Sequence, residues 1–374
     1  MAVNLGIVGL PLSGKTTLFN AITGSHAAIA TYSTEGQPNV AVVKVPDARL
    51  DVLARMFHPR KVTPADVQFI DVPGVGMGAS ARERESKEPI SRQTLGFIST
   101  VDALVLVVRA FDNPSVPLPE GVDTVDPVRD VETVMLELAF SDLGIIERRL
   151  ERLKSEIPKM KGPDREVRER ERDLLAKLGA ALEEGTHIRD QVLTEDEEKL
   201  IRNFGFLTAK PVLIVPDLGE ERLDQADEIE ESIRRRWQGQ HVDVIAIPAQ
   251  LEMEVGQLST DEAAEFRESL GMGPSRLGEV VKKSYELLGL ISFLTAGEDE
   301  VRAWTIRRGT TAQQAAGAIH SDLERGFIRA EVVHFDDLVA AGTMAEAKRR
   351  GLVRIEGKSY IVRDGDVMHV LFNV

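Results

Sequence analysis

Short apolar runs and helix-length amphipathic stretches alternate along much of the chain. Residues 3–8 form an apolar run that enters a glycine-containing loop, and from Thr16 the segment TTLFNAIT has helical spacing, which predicts strand, loop and helix in succession. Further runs at residues 67–70, 103–108, 211–215 and 242–247 read as buried strands, most of them separated by helix-length segments. That alternation predicts an α/β fold with a mainly parallel sheet.

Between the runs that start at Ala103 and Pro211 lies an insertion with a different period. Leu143, Ile146, Leu150, Leu153, Ile157 and Met160 step alternately by three and four, the spacing of a heptad seam. Lys161, Gly162, Pro163 and Asp164 break the helix, and Val167, Leu174, Leu178 and Leu182 offer an apolar stripe on a returning helix. The insertion reads as an antiparallel coiled-coil arm; the alternative is a helical pair packed flat on the sheet. Near the C-terminus, residues 302–306, 330–334, 359–362 and 367–372 read as short strands around one helix at 311–326, a small α+β module.

Composition narrows the class. A chain of 374 residues with 43% hydrophobic content predicts two or three globular domains. No apolar run is long enough to span a bilayer and the N-terminal residues lack a secretory pattern, so a cytoplasmic protein without a membrane partner is expected. With no cysteine, disulfides, thiolate metal sites and cysteine nucleophiles are excluded. The net charge of -15 argues against coating nucleic acid with the whole surface. From about Gly289 onward the charges nearly balance, and the cluster Lys348, Arg349, Arg350 makes that end the favoured place for RNA contact. The seven histidines are scattered without metal-ligand spacing, and Trp304 reads as a core aromatic.

The candidate chemistry begins in the first loop. Gly9-Leu10-Pro11-Leu12-Ser13-Gly14-Lys15-Thr16 matches G-x-x-x-x-G-K-[ST] between a strand and a helix, the setting in which backbone amides and a helix start face phosphate oxygens. Gly9, Leu12, Ser13 and Gly14 form the nucleotide cradle. Lys15 is placed to reach the β and γ phosphates, the Thr16 hydroxyl to ligate Mg2+, and Thr17 to support the α phosphate side. Asp71-Val72-Pro73-Gly74 follows an apolar run as a D-x-x-G element, with Asp71 toward Mg2+ and the Gly74 amide toward the γ phosphate. Lys15 and Thr16 are the candidate catalytic residues, since phosphoryl transfer depends on positioning and charge stabilisation.

These motifs resemble a known family. GLPLSGKTTLFNAIT resembles the GLPNVGKSTLFNALT-type loop of Obg-like proteins, and DVPGVGMGAS resembles their DIAGLVKGAS switch segment. The ending, VRAWTIRRGTTAQQAAGAIHSDLERGFIRAEVVHFDD and then GKSYIVRDGDVMHVLFNV, is similar to the C-terminal TGS module of the Obg-like ATPase (YchF) branch. The resemblance covers the whole chain. It implies a P-loop NTPase G domain of residues 1–125 and 205–285, an inserted coiled-coil arm at 126–204, and an α+β TGS (ubiquitin-like) domain at 289–374.

It also implies site residues. TEGQPNV resembles the family's TIEPNV segment with one extra residue, which makes Thr34 the switch I threonine that closes on Mg2+ and Thr31 its nearest competitor. Val75 stands where many relatives of Ras place a water-orienting glutamine. Val116 occupies the place of a histidine associated with hydrolysis in the family, and Leu12 that of an asparagine that can hold a monovalent cation. The family's N-x-x-E segment becomes Asp217-Leu218-Gly219-Glu220, and PAQLE around Ala249 resembles the last base-side loop. Asp217, Leu218, Glu220 and Ala249 are therefore expected on the base side. A carboxylate at Asp217 suits the adenine amino group if it faces that edge; alternatively it caps a turn. The implied function is a slowly ATP-hydrolysing switch that contacts the ribosome or a ribosomal subunit, with RNA met through the TGS domain. The alternatives are a GTPase of the same fold and a nucleotide-binding scaffold with negligible turnover. The oligomeric state is left open.

Overall fold

Runs of apolar residues without alternation become strands covered on both faces. In the computed structural model, which describes residues 3–24, 38–72, 92–118, 122–237, 239 and 241–373, the strands are β1 (Asn4–Val8), β2 (Asn39–Lys44), β3 (Lys61–Thr63), β4 (Asp66–Asp71), β5 (Ala103–Ala110), β6 (Val212–Leu218), β7 (Val242–Val244), β8 (Leu290–Ala296), β9 (Glu300–Arg307), β10 (Phe327–His334), β11 (Arg354–Glu356) and β12 (Asp366–Phe372). The first helices are α1 (Lys15–Thr23), α2 (Ala48–Phe57), α3 (Arg92–Ile98), α4 (Pro127–Glu156), α5 (Pro163–Glu183), α6 (Glu195–Ile201) and α7 (Ala226–Arg236). They are followed by α8 (Ala249–Val255), α9 (Thr260–Ser269), α10 (Leu277–Leu287), α11 (Ala312–Ile319), α12 (Ser321–Arg325), α13 (Phe335–Ala341) and α14 (Met344–Arg349).

One sheet has the order β2-β4-β1-β5-β6-β7. β1 pairs in parallel with β5 through Leu5 and Ala103, and β5 with β6 from Leu104 opposite Val212 to Ala110 opposite Leu218. Every residue of β5 and of β6 is buried, the signature of central strands covered by helices. The last strand is shorter than its apolar run: β7 stops at Val244, and Ile247 returns only as a single bridge to Asp217.

The insertion combines both readings offered by its pattern. α4 starts at Pro127, with the Asp126 side chain accepting the Arg129 amide at 3.1 Å. Its first half buries Val131, Val134, Met135 and Leu138 with the sheet residues, while its second half buries Ile146 and Leu153 with Leu174, Leu175, Leu178 and Leu182 of the returning α5. Val167 lies outside that seam, 40% exposed. The position between it and Leu174 is filled instead by buried Glu171, which accepts Arg149 Nε at 2.7 Å and Arg168 Nη1 at 2.7 Å. At mid-helix, fully buried Asp142 accepts the amides of Leu207 at 2.9 Å and Thr208 at 2.8 Å and the Thr208 hydroxyl at 2.7 Å. That anchors the chain as it returns toward β6.

The second sheet has the order β11-β10-β12-β8-β9-β3. Two of its strands, β8 and β11, lie outside the runs read as strands from the sequence, and residues 359–362 form no strand, contributing only a bridge between Thr311 and Ile361. The single helix expected at 311–326 is two, because His320 is extended at φ -162° and its side chain caps the second by accepting the Asp322 amide. The basic cluster is ion-paired at its own surface: Lys348 with Glu331 at 2.9 Å, and Arg349 and Arg350 with Glu346 at 2.6 Å each. The two arginines hold the Glu346 carboxyl down to about 2.

The chain divides into two compact units. One comprises Val3–Ala41 and Phe69–Val280; the other is built from Val42–Gln68 and Val281–Val374. Residues 42–68, expected in the first part of the G domain, thus group with the C-terminal strands. β3 pairs in parallel with β9, Lys61 opposite Glu300, and Arg49 donates to Asp364 at 2.7 Å. No helix among the described residues is long and apolar enough to cross a membrane.

Candidate nucleotide site

Parallel strands leave their C-terminal ends at one edge of the sheet, and in open α/β sheets ligands bind there. The loop after β1, Asp71 at the end of β4 and Asp217 near the end of β6 all lie at such ends. The loop passes so close to β5 that a side chain on Gly9, at φ 154°, would place its Cβ 2.2 Å from the Val107 carbonyl oxygen. Gly14, at φ 98°, is the N-cap of α1 and offers no side-chain cap, so the first amides of the helix stay available to an anion. Leu12 is held at φ 62° without being glycine, a strained conformation for a branched side chain.

Lys15 is buried beneath this loop and donates from Nζ to the carbonyls of Gly9 at 3.1 Å and Leu10 at 2.7 Å. Burial pulls its ammonium down to about 8, against the nearby Asp71 charge, which raises it. The Thr16 hydroxyl donates to Asp71 Oδ2 at 2.9 Å, and the same oxygen accepts Asn39 Nδ2 at 3.3 Å. Among the described residues, neither the buried Asp71 Oδ1 nor the buried Ser13 Oγ has a hydrogen-bond partner. Burial raises the Asp71 carboxyl, opposed by Thr16, Asn39 and Lys15. A hydroxyl and a carboxylate joined across the loop, with one carboxylate oxygen unsatisfied, are hard oxygen donors that fit Mg2+.

The base side is built differently. Asp217 is fully buried, its Oδ1 accepting the Ala249 amide at 2.9 Å, while its Oδ2 lies where a side chain on Gly14 would fall, 2.0 Å from that position. Burial raises its carboxyl to about 8, outweighing the Ala249 amide. In β6 its side chain is enclosed between the phosphate loop and the start of α8, and it ties the two together. Leu218 and Ala249 are buried, whereas Glu220 is exposed. Behind α8, buried Glu252 accepts Arg267 Nη2 at 2.6 Å and Ser275 Oγ at 2.8 Å, and buried Glu230 accepts the Ala246 amide at 2.9 Å, Arg234 at 2.6 Å and Arg276 at 2.7 Å.

Gly9, Leu12, Ser13, Gly14, Lys15, Thr16 and Asp71 are thus brought together, with Thr17 following in α1. Thr34, Thr31, Gly74 and Val75 lie outside the described residues. Sequence reasoning gave no role to Asn39, Glu230 or Glu252. Asn39 stands within the quoted TEGQPNV segment and Glu252 within the quoted PAQLE segment, which are the cues to them; Glu230 looks like an ordinary helix-surface residue until burial is known.

Residues 4–139 match a sequence family described as "50S ribosome-binding GTPase", and residues 290–373 match the family YchF-GTPase_C, described as a protein of unknown function. The chain is similar to the "Ribosome-binding ATPase YchF" of Bacillus subtilis (strain 168), 43% identical with 100% of both chains covered. It is also similar to the protein of the same name in Escherichia coli O157:H7, 38% identical with 100% of both covered. Among solved structures, that of the "Schizosaccharomyces pombe YchF GTPase" superposes with a TM-score of 0.84 at 32% identity, covering 99% of this chain and 97% of that one.

Proposed function

Since the chain belongs to the YchF family, we propose that it is an ATP-binding, slowly ATP-hydrolysing switch whose nucleotide state governs contact with the ribosome. The observation that carries the nucleotide reading is the convergence of Lys15 Nζ, the Thr16–Asp71 pair and the uncapped start of α1 on one loop mouth. Lys15 and the loop amides bind and orient the phosphates, and Lys15 stabilises charge that develops on the transferred group. Thr16 and Asp71, with Thr34 as the proposed switch I ligand, would hold Mg2+, which would supply charge that neutralises the phosphates. Asp217 keeps the loop and the base-side segment in register. Slow turnover fits Val116, which offers no proton acceptor in the loop after β5.

The preference for ATP over GTP is supported by the names of the bacterial relatives. The exposed carboxylate of Glu220 beside the base-side strand is able to accept from the adenine amino group. The name of the fission yeast protein, a YchF GTPase, and the matched GTPase family favour the second reading, a GTPase of the same fold. Ribosome contact is supported by the bacterial relatives' names; a cytoplasmic location and RNA contact through the C-terminal unit belong to the same proposed reading. Equilibrium binding of ATP, GTP and their diphosphates, measured beside turnover with and without ribosomes, tests all of this. Tighter ATP than GTP binding with ribosome-sensitive hydrolysis is expected. Tighter GTP than ATP binding with GTP turnover would favour the GTPase reading, equal affinities would remove the preference for ATP, and absent turnover would favour a scaffold.

A further inference from the structure

The residue in register with Asp217 across the sheet is Arg109, at the end of β5 before its loop. Its side chain is buried, and its guanidinium is spent on carbonyl oxygens of one short loop: Nε donates to Phe111 at 3.0 Å, Nη1 to Val116 at 3.0 Å and Pro117 at 3.3 Å, and Nη2 to Asn113 at 3.3 Å. It also lies 4.8 Å from the centroid of the Phe111 ring. A guanidinium that donates to four carbonyls from inside a loop constrains the path of that backbone, because each bond fixes a carbonyl relative to the same planar group; the Asn113 carbonyl also accepts the Val116 amide at 3.0 Å, closing a turn there.

The loop so shaped supports the segment that follows β6. The Asp112 amide donates to Glu221 Oε1 at 2.7 Å, and the Asp112 carboxylate pairs with Arg222 at 3.2 Å. Glu221 folds back beneath Gly219, where a Cβ would fall 2.1 Å from its carboxylate. Residues 217–222 are thus fixed on one side by Asp217, through Ala249 and Gly14, and on the other by the loop that Arg109 organises.

We propose that Arg109 is a positioning residue for nucleobase recognition: it makes residues 111–117 a brace on which the base-side segment rests. The inference rests on the reading of residues 217–222 as the base side. It predicts an effect confined to the part of binding that depends on the base. The test compares ATP with inorganic tripolyphosphate, which carries the phosphates alone, in wild type, Arg109→Met and Glu221→Ala, by calorimetry at fixed Mg2+. Arg109→Met is expected to weaken ATP binding about tenfold, and Glu221→Ala about threefold, with tripolyphosphate affinity unchanged in both. Glu221 is exposed, so its variant keeps the test available where Arg109→Met does not fold. Equal losses for both ligands, or no loss for either, would overturn the role of Arg109. A wild type that binds ATP no more tightly than tripolyphosphate would instead overturn the base-side reading beneath it.

Discussion

The two sides of the proposed nucleotide site are held in different ways. The phosphate side is one contiguous stretch, Gly9 to Thr16, and its geometry comes from backbone: two glycines at positive φ, a strained Leu12, and a lysine that bonds loop carbonyls. The base side gathers separate segments, and side-chain carboxylates hold it: Asp217 on the Ala249 amide, Glu230 on the Ala246 amide, and Glu252 with Arg267 and Ser275. A site for anionic phosphates is thus made from donors, while the neighbouring site is braced by buried acceptors. The comparison teaches where substitutions act: on the phosphate side they alter ligand binding, on the base side they alter the protein first.

Arg267→Ala should show the largest effect. It leaves Glu252, 4% exposed in its side chain, without its cation, and such a loss costs about 3 kcal/mol. Chemical denaturation at constant nucleotide-free conditions measures it; a change below about 1 kcal/mol would show that the base side does not depend on its buried carboxylates. Next is Lys15→Ala, expected to weaken triphosphate binding about a hundredfold in a chain that stays folded, since a charge-assisted contact to phosphate disappears. Unchanged affinity in titration calorimetry would remove Lys15 from the phosphate side.

Asp217 joins the two sides and gives a pH test. Its folded pKa of about 8 lies above the ordinary 3.8, so between those values the folded state holds a proton that the unfolded state has released. Stability from this group is therefore full below the lower value and declines as pH rises toward about 8. Asp217→Asn should raise the melting temperature at pH 8 while leaving it nearly unchanged at pH 4, and parallel melting curves at both would refute the assignment. The smallest effect on stability belongs to Leu12→Asn, which relaxes the strain at φ 62° and should add about 0.5–1 kcal/mol in the nucleotide-free protein. A loss of stability would mean that the Leu12 side chain packs usefully where it is.

The phosphate side was legible because its motif is local and its setting, strand then helix, is visible in the same stretch of chain. Asp71 was legible for the same reason, as the end of an apolar run. The base side was legible only in outline. Asp217 was found by resemblance, but its enclosure depends on Gly14, about 200 residues earlier in the chain, a contact no spacing rule reveals. Glu230 has an arginine four residues on and reads as a solvated pair, while Glu252 meets Arg267 of another helix, and only tertiary packing buries both carboxylates. In the C-terminal strands the failures have the same origin. β8 follows α10 with only two intervening residues, and β11 has three residues, too few to show a period.

The parallel pairing of β3 with β9 sets a timetable for synthesis. Lys61 pairs with Glu300, so a strand made early waits for a partner translated roughly 240 residues later, which at ordinary elongation rates is on the order of 10 to 50 s. During that interval α2, whose Leu50 and Leu53 are buried in the finished protein, has yet to receive β9, the strand it packs against. Residues 42–68 are thus expected to stay open to a holding chaperone or a protease until β9 has been made.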